Sequence, residues 1–148
     1  MADSHGSFTF SFIDSVLLIT ASGAWNLECV EAYIAEAEAI YASTGRGQMD
    51  LVVLFLRWDG VTPDASLRLI GYTRECLRRN MFRSQTYFHR QSPFLSRLVM
   101  SLFAAAGHYE QHTFLKREEL LAHMATLLEG SSLETFTRQL DQALTAGS

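Results

Sequence analysis

Near the start of the chain the apolar positions fall on every second residue. Phe8, Phe10 and Phe12 alternate with Thr9 and Ser11, a period that sets all three rings on one side of a strand. Asp14-Ser15 supplies turn chemistry and Val16 to Ala21 is a second apolar run, so the pattern predicts a hairpin. Gly23 is expected to break that run. From there the period changes: Leu27, Val30, Ile34, Ala37 and Tyr41 recur at helical spacing, and the helix is expected to end near Ser43. Asn26 is placed to cap the free N–H groups of its first turn, and Glu28 and Glu31 sit near the positive end of its dipole.

Leu51 to Leu56 is apolar without interruption. Such a run suits a strand buried on both faces in the middle of a parallel sheet. Thr62-Pro63 opens the next helix, with Thr62 as cap and proline at the first helical position, and Asn80 ends it in a left-handed turn. Leu69, Thr73, Cys76 and Leu77 are expected to face inwards, and Arg68, Arg74, Arg78 and Arg79 outwards. A short strand at Thr86 to Phe88, a third helix from Pro93 to Gly107 and a last strand at Gln111 to Phe114 follow. A fourth helix starts at Lys116-Arg117-Glu118-Glu119 and stops before Gly130. Ser131 and Glu134 have the spacing of a capping box, opening a final amphipathic helix with Leu133, Phe136, Leu140 and Leu144 on one stripe. Strand–helix alternation favours a mostly parallel sheet with right-handed crossovers, and the hairpin makes one edge antiparallel.

Composition fits one folded domain: 148 residues, 48% hydrophobic and 19% charged. Met1 to Phe12 lacks a basic, apolar leader pattern. The most apolar later stretch, Pro93 to Gly107, is too short to cross a bilayer, so a cytoplasmic protein without a transmembrane segment is expected. Cys29 and Cys76 have no Cys or His at metal-ligand spacing and read as reduced thiols. The net charge of −4 conceals an uneven distribution: residues 1–56 sum to −6, residues 57–97 to +5 through eight Arg and no Lys, and residues 98–148 to −3. Pairing of those Arg residues with the acidic first helix is one explanation, and a basic face for an anionic partner is the other. An acidic domain without recognition motifs argues against nucleic acid.

The element order resembles the STAS domain, and within it the SpoIIAA-like group of small bacterial proteins. Three stretches carry the resemblance: Gly23-Ala24-Trp25-Asn26 after the hairpin, Leu51 to Ile70 with its Gly-Val-Thr loop and Asp-x-Ser helix start, and Phe114 to Leu128. It implies an α/β fold with a mixed, mostly parallel sheet of about five strands and four helices over residues 7–130. Residues 131–148 then form an additional C-terminal helix and tail. In the antagonist branch of that family a serine at the start of the second helix is phosphorylated. Ser66, with Asp64 beside it, is the matching position, where free N–H groups and the helix dipole would favour a phosphate. The family pattern has Gly after that serine and this chain has Leu67, which would crowd a docking partner.

Catalytic constellations are thin. His108, Glu110 and His112 would share one strand face, which reads better as a polar face than as a metal site. Asp14, Asp50, Asp59 and Asp64 are not paired by spacing, no Gly-x-Ser-x-Gly elbow is present, and Gly45-Arg46-Gly47 is too short for a phosphate loop. A non-enzymatic protein-interaction or regulatory module without cofactor or metal is therefore expected, with a carrier or sensor of a small hydrophobic or lipid-like ligand as the alternative. The starts of the second and third helices should share one end of the sheet, the usual ligand crevice. This nominates Trp58, Asp59, Asp64, Ser66, Phe94 and Phe103 as a partner or ligand surface. The third helix is apolar on two faces. That, with the extra terminal helix, points to a homodimer.

Overall fold

A computed structural model describes residues 6–44, 48–89 and 110–146. Five strands form one sheet in the order β1-β2-β3-β4-β5. β1 (Ser7–Ile13) and β2 (Val16–Trp25) are the expected hairpin, antiparallel from Ser7↔Ser22 to Ile13↔Val16. Asp14 takes a φ of 53° in the turn, a conformation Asp tolerates better than most residues. All other pairings are parallel: β2 with β3 (Met49–Val61), β3 with β4 (Phe82–His89), and β4 with β5 (Glu110–Phe114). Leu51 to Leu56 is thus the centre of the sheet, and all six side chains are buried.

Each sheet face carries its own core. α1 (Leu27–Thr44) and α2 (Pro63–Arg78) cover one face, packing Val30, Ile34, Tyr72 and Cys76 against Leu17, Ile19, Val53 and Phe55. α3 (Arg117–Met124) and α4 (Gly130–Ala146) cover the other, packing Leu120, Met124, Phe136 and Leu140 against Leu18, Val52, Leu54 and Phe88. The terminal helix therefore spends its apolar stripe within the chain, which withdraws one of the two grounds for expecting a dimer. The helix expected over Pro93 to Gly107, which supplied the other, lies outside the described residues.

Several local expectations hold. Asn26 Oδ1 accepts the Cys29 N–H at 2.8 Å, Pro63 is in the first turn of α2, and Asn80 has a φ of 57°. The acidic first helix does neutralise part of the Arg block: Arg68 pairs with Glu31 at 2.6 Å and Arg79 with Glu38 at 2.8 Å. Other expectations need correction. Leu27 is exposed, and Cys29 takes the inward position in the first turn of α1. Gly23 does not end β2: at φ 79° it sits within the strand, beside a shift in register with β3. β4 is eight residues long rather than three, and most of its polar side chains find partners within the chain. Ser84 Oγ donates to Asp50 Oδ1 at 2.8 Å, Arg83 pairs with Asp50 at 2.7 Å, and Tyr87 donates to Gln85. Thr62 makes no side-chain cap; its hydroxyl donates to Asp64 Oδ1 at 2.6 Å, and that oxygen takes the Ala65 N–H at 2.9 Å. Ser131 is not a cap either. Gly130, at φ 57°, lets the chain enter α4 one residue earlier, and Ser132 donates to Asp14 in the hairpin turn.

Candidate functional site

β3 holds a straight register with β2 from Asp50 to Phe55, then continues to Val61 through two irregularities before it yields to α2. Ala21 pairs with Phe55 but Gly23 with Trp58, and then Ala24 pairs with Gly60. In each step β3 carries one residue more than β2, the count that defines a β-bulge. Bulges re-aim side chains. Here the first one sends Trp58 to the same face as Phe55, where both join the core beneath α1 and α2. Leu56 joins the opposite core, and Arg57 and Asp59 line an open, hydroxyl-rich groove on that side with Thr9, Thr20 and Ser22. Gly60 has a φ of 124°, a conformation that L side chains rarely adopt. The Thr62 N–H, bonded to the Trp25 carbonyl at 3.0 Å, then anchors the start of α2 to the end of β2.

Beneath α1 and α2 the sheet face is rich in aromatic rings. Phe55 stacks on His89 (centroids 4.7 Å apart, planes 7° apart) and meets Trp58 at 4.9 Å, while Tyr33 contacts Phe10, Trp25 and Tyr72. These rings leave a partly open, apolar cavity of about 50 Å³, whose lining includes Trp25, Tyr33, Phe55, Trp58, Tyr72 and Cys76. That volume admits a few water molecules or a small organic group. Among the described residues no Asp, Glu, Lys or Arg lines it. Burial pushes the Cys76 thiol up to about 11 and the Tyr33, Tyr41 and Tyr72 hydroxyls well above the ordinary phenol value, so these groups stay neutral. At the cavity's outer side Tyr72 donates to Glu38 at 2.6 Å. Burial acts against the Glu38 carboxylate, but the hydrogen bonds from Tyr72 and Arg79 and the Arg79 charge outweigh it and hold its pKa low.

Polar atoms near this cavity lack partners. Trp58, 3% exposed, has its indole Nε1 unbonded; His89, fully buried, has both ring nitrogens unbonded; and the Gln111 Nε2 on β5 is the fourth such atom among the described residues. Burial lowers the His89 pKa to about 4 and keeps the ring neutral. Buried polar groups are nearly always paired, and each one left unpaired costs roughly 1–3 kcal/mol. By contrast the other indole of the cavity, Trp25, donates to the Ser22 carbonyl at 3.1 Å.

Of the nominated residues, the four that are described, Trp58, Asp59, Asp64 and Ser66, follow the end of β3 into the start of α2 but do not share one surface. Trp58 is internal. Asp59 is exposed on the opposite face. Asp64 is exposed and engaged in capping, with bonds from Thr62 and Ala65 holding its pKa low. Ser66 is half-buried in the first turn of α2 and donates to the Pro63 carbonyl at 2.8 Å. Phe94, Phe103 and His108 lie outside the described residues. The four aspartates do not gather at one place: Asp14 and Asp50 lie at the hairpin-turn end of the sheet, where the Asp50 N–H bonds the Ser15 carbonyl at 3.0 Å, and Asp59 and Asp64 at the end where β3 gives way to α2. His112 instead approaches His123 of α3, with ring centroids 4.3 Å apart, and His123 Nε2 lies 3.1 Å from Thr86 Oγ1. Among the described residues no three His, Cys, Asp or Glu side chains are grouped to hold a metal. Cys29 and Cys76 are both free and buried. His89 and Gln111 were missed in the sequence. The glycine at 60, inside what is now a strand, was the one signal that could have announced a bulge.

No family model matches the chain, and no curated protein matches it in sequence. Among solved structures, an uncharacterised protein of the DUF3478 family with a SpoIIAA-like fold, from Shewanella loihica PV-4, is similar, with a TM-score of 0.57. The identity is 14%, over 82% of this chain and 97% of that one. The chain therefore has a SpoIIAA-like fold: a mixed five-stranded sheet, one antiparallel pair and the rest parallel, with helices on both faces.

Proposed function

We propose that this SpoIIAA-like domain is a non-catalytic, cytoplasmic regulatory module that docks another protein at the start of α2. Leu67 carries the reading. It is 72% exposed, a large apolar side chain in the second turn of a helix that is otherwise tied down by Arg68–Glu31, Tyr72–Glu38 and Arg79–Glu38 contacts. One turn further on, at the i+4 position that shares its face, Gly71 leaves open space where a Cβ would stand. Knob and notch are thus presented on a fixed helix beside Ser66, the position at which a phosphate would meet the helix N-terminus. The partner this face suits has an apolar socket for Leu67, and so differs from a partner shaped for the glycine of the antagonist branch, which Leu67 would crowd.

A photo-reactive residue placed at position 67 should cross-link one protein in stoichiometric yield, and purified partner should lose binding at least tenfold to Leu67→Asp. Cross-linking no stronger than from the exposed Glu134 on α4 would refute the reading. Sedimentation velocity distinguishes a second copy of the chain from a different protein. Ser66→Asp tests regulation at the same face, by a change in that affinity. The cavity favours a second reading, a carrier or sensor of a small apolar ligand. Native mass spectrometry of freshly purified protein should then find a bound mass, and a clean apo mass without a thermal shift across apolar ligands would remove it.

A further inference from the structure

We infer that the cavity beneath α1 and α2 is a binding site for a small, uncharged molecule that carries a hydrogen-bond acceptor, taken by the indole N–H of Trp58. The inference deepens the cavity reading above and is independent of docking at Leu67.

Three observations meet here. The first is direction. The first of two successive bulges at the end of a central parallel strand is what brings Trp58 to this face, at the carboxyl ends of the parallel strands where open α/β sheets hold their ligands. The second is the donor. Nε1 of Trp58 is buried and unpartnered, in a side chain that itself lines the cavity. An indole N–H can only donate, so its missing partner is an acceptor. The third is the surrounding chemistry. Among the described residues the lining is mainly aromatic and aliphatic, with neutral polar groups from Thr73 and Gln85 and no ionised side chain, and the His89 ring, stacked on Phe55, is held neutral by burial. An anion would be desolvated there without a countercharge. A neutral ring or amide of a few heavy atoms, with a carbonyl oxygen or pyridine-type nitrogen at its edge, meets the donor without that penalty.

Pyrazole is a suitable probe: small, planar, neutral at pH 7, with a nitrogen acceptor. Thiophene has similar size and shape without a comparable acceptor, and acetate supplies the charged control. In ¹⁵N-labelled wild-type protein two indole N–H resonances are expected, and Trp25→Phe assigns them. Titration with pyrazole to tens of millimolar should move the Trp58 resonance downfield and saturate. The Trp25 indole already donates to Ser22 and should move far less. Thiophene should bind at least fivefold more weakly and acetate not at all. Trp58→Phe, which keeps an aromatic ring and removes the N–H, should abolish the preference for pyrazole over thiophene. Saturable binding of thiophene equal to pyrazole overturns this inference while leaving an apolar-ligand carrier intact. No saturable shift with either compound overturns both, as does a tightly held water on Trp58 Nε1 that neither displaces.

Discussion

His89 closes β4 fully buried, and among the described residues no carboxylate pairs with it to compensate a proton, so protonation must be borne by the fold itself. Its folded pKa of about 4 lies below the ordinary histidine value near 6.5. The unfolded chain therefore binds more protons between these two values, and stability rises with pH across that window. The contribution is complete above pH 6.5 and is lost as pH falls towards 4. Between pH 7 and pH 5 the protein should lose about 2 kcal/mol through this residue. Urea unfolding of wild type and His89→Leu should show it: the variant lacks that slope. Parallel pH dependence of the two would mean that the imidazole is accessible in the folded state. At still lower pH, roughly below 4.5, the low-pKa carboxylates Glu38, Asp64 and Asp141 add a further loss of the same sign. Residue roles of this kind were the least legible in sequence. Nothing around His89 alternates or repeats, and its burial arises from pairing opposite Phe55 on the next strand.

At the scale of elements, patterns announced existence better than extent. Phe8, Phe10 and Phe12 announced β1, and Leu51 to Leu56 announced the centre of β3, because burial of one or both faces writes itself into the sequence. What pattern could not show was where polar residues are satisfied by one another. The Asp50–Arg83–Ser84 contacts accompany the longer β4, and the bulges carry β3 through Trp58-Asp59-Gly60. Two glycines separate these effects. At Gly60, φ is 124° and a Cβ would meet nothing within 4 Å. Gly60→Ala should thus lose about 1–3 kcal/mol from backbone strain alone. At Gly71, inside α2, a Cβ also meets nothing, and Gly71→Ala should gain about 0.5–1 kcal/mol from helix propensity. Urea midpoints moving in opposite directions support the bulge. Midpoints moving together would place Gly60 in ordinary extended backbone.

For the whole molecule, the fold was legible in the order of its elements, and the end of the sheet proposed as the site in the position of its central strand. The segment 131–148, expected as a helix additional to the family's domain, shares a core with the sheet, with Phe136 and Leu140 fully buried beside Leu54 and Leu120. Leu140→Ala should cost about 2–5 kcal/mol, and removal of residues 130–148 should abolish cooperative unfolding, measured by calorimetry. Unchanged cooperativity would return α4 to the status of an appendage. The candidate site was only half legible because spacing put Trp58, Asp59 and Ser66 at one end without saying which face each would take. The bulges decide that, sending Trp58 inwards and Asp59 outwards.

The ligand site requires Trp58 to lie beneath α1 and α2 with its N–H free of any partner. Solvent exchange of the two indole protons, followed in the unliganded protein by ¹⁵N-resolved NMR, tests this directly. A Trp58 proton that exchanges slowly, and resonates upfield of the hydrogen-bonded Trp25 proton, is the predicted result. A Trp58 proton in rapid exchange with water would place the ring at the surface and contradict it.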